Sequence, residues 1–172
     1  DINHPDQVYM YIFRSPYSNA NLKEINFKKA QGLKGVLAIL DFDLITSLNI
    51  NPMYPGFKVK NKDGSPMVET YRNILASKKV RYVGEPILAI IAETLELAEE
   101  AADLVEIEYE ELVSVTNLSD AIKKNAPLVR EELSNNIIFD WDLGNEMETN
   151  QNLSISAHTC SIELNNNRLI PN

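Results

Sequence analysis

The chain has 172 residues, of which 44% are hydrophobic, and it carries a formal net charge of −9 and one cysteine. Its length is typical of one globular domain, and its acidity argues against nucleic-acid binding, which depends on clustered lysine and arginine. A lone cysteine excludes an intramolecular disulfide, and no apolar run reaches the length of about 18 residues that indicates a membrane span. We therefore predict a single cytoplasmic domain over residues 1–172.

The N-terminal quarter predicts short strands separated by turns. Alternating apolar side chains indicate strands over residues 8–14 and 22–27, with a break at Ser15-Pro16 between them. Next comes a single helical turn, ended by Gly32 and Gly35. The run "VLAIL" then predicts a short buried strand, and Asp41 or Asp43 is placed to cap a further short helix.

Residues 47–67 predict a long irregular excursion from the fold. The stretch "SLNINPMYPGFKVKNKDGSPM" contains three prolines, two glycines and many polar residues, and its apolar residues show no period.

Residues 79–112 predict the best-defined unit of the chain. The run "PILAIIAE" is apolar at both parities, which indicates a strand buried on both faces. Thr94 is placed to cap a helix with an alanine-rich apolar face and an acidic opposite face, and "VEIEYEEL" alternates as a second strand. This order predicts a right-handed βαβ crossover within one mixed sheet, and so an α/β (α+β) fold.

The C-terminal third predicts a short helix over residues 119–124 and a turn with an extended segment over 126–133. Two more strands are predicted from "NNIIFDWDLG" and "NLSISAHTCSIEL". The final "NNNRLIPN" follows a predicted strand directly, so we expect the chain to be a fragment of a longer polypeptide.

Few residues are candidates for chemistry. His158 and Cys160 would share a face of the last predicted strand, but two residues are too few for a zinc site, and a cysteine in a strand is usually apolar filler. The spacing of the helix carboxylates is that of a solvated helix face. Gly84-Glu85-Pro86 is interpreted as a tight turn that opens the buried strand, rather than as a site. Lys78-Lys79 lies beside a strand but lacks the flanking methionines of a lipoyl or biotinyl lysine.

Several separated motifs together resemble one family. The segments "YIFRSPYSNANLKEINFKKAQGLKGVLAILDFDL", "KVRYVGEPILAIIAETLELAEEAADLVEIEYEEL", "APLVREEL" and "NRLIPN" resemble, in order, the opening of the molybdenum-binding large subunit of the molybdenum hydroxylases. That family includes xanthine dehydrogenase, aldehyde oxidase and carbon monoxide dehydrogenase. The resemblance implies the a/b hammerhead fold, as the N-terminal domain of a much longer subunit.

The resemblance also implies what this chain lacks. The family's pterin-binding loops and catalytic glutamate belong to a later region, so we predict no catalytic, cofactor-binding or metal-binding residue here. The parent would be an oxidoreductase of the carbon monoxide dehydrogenase or aldehyde-oxidising type. It would use molybdopterin, with iron–sulfur clusters and FAD on partner subunits or domains. The alternative is a free-standing hammerhead interaction protein without enzymatic activity.

Overall fold

A computed structural model describes residues 4–164 of the chain. The N-terminal part contains strands β1 (Tyr9–Arg14) and β2 (Ala20–Asn26), helix α1 (Lys28–Gln31), strand β3 (Val36–Leu40) and helix α2 (Phe42–Ser47). The irregular excursion predicted from residue 47 extends over residues 48–78 in the structure and contains only turns, bends and isolated β-bridges. After it come strands β4 (Lys79–Val80) and β5 (Pro86–Ala92), helix α3 (Leu95–Asp103) and strand β6 (Glu106–Glu111). Helices α4 (Leu118–Ala121) and α5 (Glu146–Ser154) complete the set.

The strands form two separate three-stranded sheets. One has the order β1-β5-β3 and the other the order β4-β2-β6, and every neighbouring pair is antiparallel. The mixed α/β class is therefore confirmed, but the predicted βαβ crossover within one mixed sheet is wrong, because α3 connects β5 of one sheet to β6 of the other. Hydrophobic periodicity identifies a strand, a helix and a strand. It carries no information on which strand each one pairs with.

Strand β5 is the centre of the core, as its apolar run predicts. Ile87, Leu88, Ala89, Ile90 and Ala92 are all buried, so both faces of the strand are covered. Complete burial of a large aliphatic side chain contributes about 1.5–3 kcal/mol, which makes this strand a major source of stability. Helix α3 packs on the same sheet through Ala98, Ala101 and Ala102, whose small side chains allow a close approach.

The caps of helices α2 and α3 are residues that the sequence predicts as caps. The Oγ1 atom of Thr94 accepts a hydrogen bond from the Leu97 N–H at 3.2 Å and begins α3. Asp41, rather than Asp43, caps α2, because its Oδ1 accepts from the Leu44 N–H at 2.8 Å. The predicted short helix over residues 119–124 is present as α4, but it begins at Leu118 after an Asn117 cap and ends at Ala121.

The two strands predicted after residue 134 are wrong. Residues 135–144 are irregular, and much of residues 145–154 is helix α5, which Asn145 caps by accepting from the Glu148 N–H at 3.0 Å. Alternation alone does not make a strand, because a strand also needs a neighbour to satisfy its backbone groups. The described backbone hydrogen bonds between residues 135–144 and the excursion are isolated ones, such as that from the Val68 N–H to the Ile138 carbonyl at 2.9 Å. The terminal "NRLIPN" motif lies outside the described residues.

Candidate functional site

The turn before β5 is an irregular segment held by several hydrogen bonds. Gly84 has a φ of +87°, a conformation that favours glycine. Its N–H donates to the Ser15 carbonyl at 2.8 Å, and the Ser15 N–H donates to the Glu85 carbonyl at 2.9 Å. The Arg14 guanidinium donates to the Gly84 carbonyl at 2.9 Å. The turn is thereby fixed to the end of β1.

The side chain of Glu85 is buried in this turn and hydrogen-bonds to its backbone. Glu85 is only 6% exposed, and its carboxylate accepts a hydrogen bond from the backbone N–H of Arg81. Burial raises the pKa of Glu85, because removal from water disfavours the charged form. The hydrogen bond from Arg81 and the charges of Arg81 and Arg130 act in the opposite direction. A buried, bonded carboxylate of this kind supports the predicted tight turn over a reactive site.

Lys79, which the sequence argued against as a lipoyl or biotinyl lysine, forms an internal ion pair. It is 8% exposed and forms an ion pair with Glu131, while its neighbour Lys78 points to solvent. Next to it, Arg81 Nε donates to the Val129 carbonyl at 3.2 Å. Arg130 donates to the Tyr71 carbonyl, and its guanidinium lies 5.6 Å from the centre of the Tyr71 ring. These contacts fasten residues 129–131 to the turn and the excursion.

The other sequence candidates do not converge. His158 and Cys160 are exposed and lie in irregular chain after α5, not in the strand predicted for them. Within residues 4–164, no three histidine, cysteine or acidic side chains are grouped closely enough to hold a metal ion. The helix carboxylates Glu96, Glu99, Glu100 and Asp103 are all exposed, as predicted for a solvated face.

One feature that sequence reasoning missed is a cluster of aromatic side chains on the excursion and the chain around residue 140. The Tyr54 and Tyr71 rings lie 6.1 Å apart, and the Phe57 and Phe139 rings lie 6.3 Å apart in an edge-to-face arrangement. Together with Trp141 we call these residues the aromatic face. The available signal was the presence of "MYPGF" and "IIFDW" within otherwise polar segments.

Two shallow concave surfaces lie on the described part of the chain. One, of about 250 Å³, lies between the excursion and residues 137–140. The other, of about 560 Å³, lies between the N-terminal segment and the start of α3, where His4, Asp6, Glu93 and Glu96 face a wide opening. Neither brings together a nucleophile, a base and an anion-binding group in the manner of an active site. In the described part of the chain, no helix is both long and apolar enough to cross a membrane.

Known proteins are similar to this chain in sequence and in fold. The family described as "Aldehyde oxidase and xanthine dehydrogenase, a/b hammerhead domain" matches residues 1–113. The nicotinate dehydrogenase large molybdopterin subunit of Eubacterium barkeri is 32% identical over 129 residues, which are 75% of this chain and 27% of that protein. The carbon monoxide dehydrogenase large chain of Hydrogenophaga pseudoflava is 27% identical over 175 residues, covering 92% of this chain and 20% of that one.

A solved structure agrees with these sequence matches. Quinoline 2-oxidoreductase from Pseudomonas putida 86 superimposes with a TM-score of 0.67 at 27% identity, over 80% of this chain and 17% of that chain. The chain spans between 12% and 27% of the length of the curated relatives it matches. These relatives are oxidoreductases, and the resemblance predicted from the sequence is confirmed. The chain belongs to the a/b hammerhead domain family of the aldehyde oxidases and xanthine dehydrogenases.

Proposed function

We propose that residues 1–172 form a single N-terminal domain that helps to build and support the large subunit of a molybdenum hydroxylase. The observation that carries this proposal is the hammerhead match over residues 1–113, combined with relatives of which the chain spans 27% or less. The packing is consistent with a structural role. The best-buried elements serve the core, and the buried Glu85 and Lys79 are both engaged in internal contacts.

The absence of a catalytic, cofactor-binding or metal-binding residue from this chain is part of the proposal. What supports it is that no group of three potential metal ligands converges among residues 4–164, and that Cys160 is exposed. We assign molybdopterin to the remainder of the parent subunit, and iron–sulfur clusters and FAD to its partner subunits or domains. A cytoplasmic location, suggested by the single cysteine, is part of the same proposal.

For the parent enzyme we propose oxidative hydroxylation of a small substrate, with water as the source of oxygen and with the electrons leaving through the partner cofactors. Carbon monoxide and aldehydes are the favoured substrates. The support for carbon monoxide is the extent of the alignment, since a carbon monoxide dehydrogenase large chain aligns over 92% of this chain and the nicotinate dehydrogenase subunit over 75%.

A second candidate is a free-standing interaction protein that keeps the hammerhead fold without the enzyme. The observation in its favour is the exposed aromatic face, which is suited to binding another protein.

Sequencing the DNA downstream of the Asn172 codon separates the two candidates. An open frame that encodes several hundred further residues with glycine-rich segments supports the enzyme subunit, and a stop codon supports the interaction protein. The complete polypeptide, purified with its partner subunits, should contain stoichiometric molybdenum and reduce a dye with carbon monoxide or an aldehyde. The 172-residue chain alone should contain no molybdenum or iron and should leave the dye oxidised. Metal bound to the chain alone would overturn the structural role.

A further inference from the structure

The aromatic face is a second apolar cluster, separate from the core. Its five members are Tyr54, Phe57, Tyr71, Phe139 and Trp141, and none of them belongs to the core cluster. Their exposed fractions range from 42% to 63%, although four of the rings already pair with one another. The two ring pairs are linked through the short Tyr54–Phe57 segment, and Trp141 lies two residues after Phe139. Several half-exposed aromatic rings on neighbouring segments are unusual on a surface that faces only water, and typically mark a protein contact.

The backbone beneath these rings is held in place. Met53 and Arg72 exchange two hydrogen bonds of 2.8 Å, which bring Tyr54 and Tyr71 together. The Lys62 N–H donates to the Asp140 carbonyl at 2.8 Å and fixes the chain between Phe139 and Trp141. The aromatic face is therefore formed before any partner binds, which lowers the entropic cost of association.

The aromatic face is bordered by charges of both signs. Lys58 contacts Glu69 at 2.5 Å and Lys62 contacts Asp140 at 3.2 Å, and the carboxylates of Asp142 and Glu146 also lie close enough to act on Lys62. An apolar centre with a polar rim is typical of a protein–protein interface. In a chain of net charge −9, the carboxylates of this rim argue against a phosphate or a nucleic acid as the ligand.

We infer that the aromatic face is the surface on which the remainder of the large-subunit polypeptide docks. This inference rests on the proposed function, because it requires a longer subunit. In the curated relatives this chain corresponds to between 12% and 27% of the length, so each relative has a much larger body of polypeptide available for such a contact. A covalently joined partner also acts at a high effective concentration, so a modest apolar patch is enough to hold it.

The aromatic face is formed by two different parts of the chain. Tyr54, Phe57 and Tyr71 lie within the hammerhead match, whereas Phe139 and Trp141 lie beyond its last residue, 113. The contacts of residues 129–131 with Lys79, Arg81 and Tyr71 position the second group beside the first. The docking surface is thus assembled from the hammerhead and from the chain that follows it.

Hydroxyl-radical footprinting, read by mass spectrometry, tests the inference on intact proteins. The five aromatic residues should be oxidised readily in the 172-residue chain and several-fold more slowly in the complete subunit. Leu118 is the internal reference, because it is 86% exposed and lies outside the aromatic face. Unchanged oxidation of the aromatic residues, or equal protection of Leu118, would overturn the inference while leaving the proposed function standing. A stop codon at the end of this chain would overturn both.

Two further measurements sharpen the test. If the aromatic residues become protected in the 172-residue chain as its concentration rises, the occupant is a second copy and the inference fails. Tyr54→Ser and Trp141→Ser should lower the thermal midpoint of the complete subunit but leave that of the 172-residue chain nearly unchanged, with Leu118→Ser neutral in both. An equal loss in both proteins would mean that the rings stabilise this domain only. If a substituted subunit fails to accumulate, footprinting of the unsubstituted protein decides.

Discussion

Lys79 and Glu131 form an ion pair that joins β4 to a segment 52 residues later in the chain. The lysine is buried and the glutamate is largely exposed, so the two partners contribute unequally. The ammonium group has little access to water, and Glu131 supplies the charge that compensates for this. The Lys79 hydrogen bond holds the pKa of Glu131 below its usual value, so this contribution is lost only when the pH falls through that lowered pKa.

Glu131→Gln should therefore lower the free energy of unfolding by about 1–2 kcal/mol, between the values typical of exposed and of buried pairs. Chemical denaturation at neutral pH measures the change. Asp120→Asn is the matched control, because its pair with Lys123 is exposed at both ends and should contribute no more than about 0.5 kcal/mol. Equal effects of the two substitutions would show that burial of Lys79 is unimportant.

The raised pKa of Glu85 predicts how the stability of the fold depends on pH. Because burial raises its folded-state pKa, the folded protein binds this proton more tightly than the unfolded chain does. Its contribution to stability should thus decrease as the pH rises from the ordinary glutamate range through the raised pKa. Glu85→Gln, which keeps an oxygen to accept from the Arg81 N–H, should remove this decrease. The difference in unfolding free energy between Glu85→Gln and the parent protein, measured at about pH 4 and about pH 7, provides the test.

The substitution Glu85→Ala separates the hydrogen bond from the charge. It leaves the Arg81 N–H without its acceptor in a partly buried turn, at an expected cost of about 1–3 kcal/mol. If Glu85→Ala is as stable as Glu85→Gln at both pH values, the carboxylate does not hold the turn.

Two effects favour glycine at position 35, the backbone conformation and the space beside Leu97, and comparison with Gly84 separates them. The φ of Gly35 is +93°, and a Cβ atom added there would lie 2.5 Å from Cδ2 of Leu97 on α3. Gly84 has a similar φ of +87° but no atom within 4 Å of an added Cβ. Gly84→Ala should cost about 1–2 kcal/mol, from backbone conformation alone. Gly35→Ala should cost the same for the backbone and only slightly more for the contact, because Cδ2 ends a flexible side chain that can move aside. Denaturation of the two variants measures the difference.

Strand β5 should tolerate no charge at its centre. Ile90→Asp would bury a carboxylate without a partner at a cost of several kcal/mol, against a total stability of about 5–15 kcal/mol for a typical domain. We expect it to abolish soluble folded protein. Ile91 is only partly buried, so Ile91→Asp should be less severe. The exposed Glu99 on α3 is the control, and Glu99→Gln should change stability by no more than about 0.5 kcal/mol in the same melts.

Features that depend on neighbouring residues could be predicted from the amino-acid sequence. The bounds of β3, the double burial of β5 and the Thr94 cap of α3 follow from local periodicity and from hydrogen bonds that span a few residues. The ordered motifs were also enough to predict the hammerhead family. None of these predictions depends on the position of a distant part of the chain.

The way in which the elements combine could be learned only from the three-dimensional structure. The placement of β5 and β6 in different sheets, the failure of the last two predicted strands and the pairing of Phe57 with Phe139 all depend on contacts between distant segments. A strand's pattern shows which face is apolar but not which neighbouring strand satisfies its backbone groups, because every non-proline residue offers the same N–H and C=O. The burial of Lys79 and Glu85 was hidden for the same reason, because a charged side chain is buried only where the rest of the fold supplies its partner.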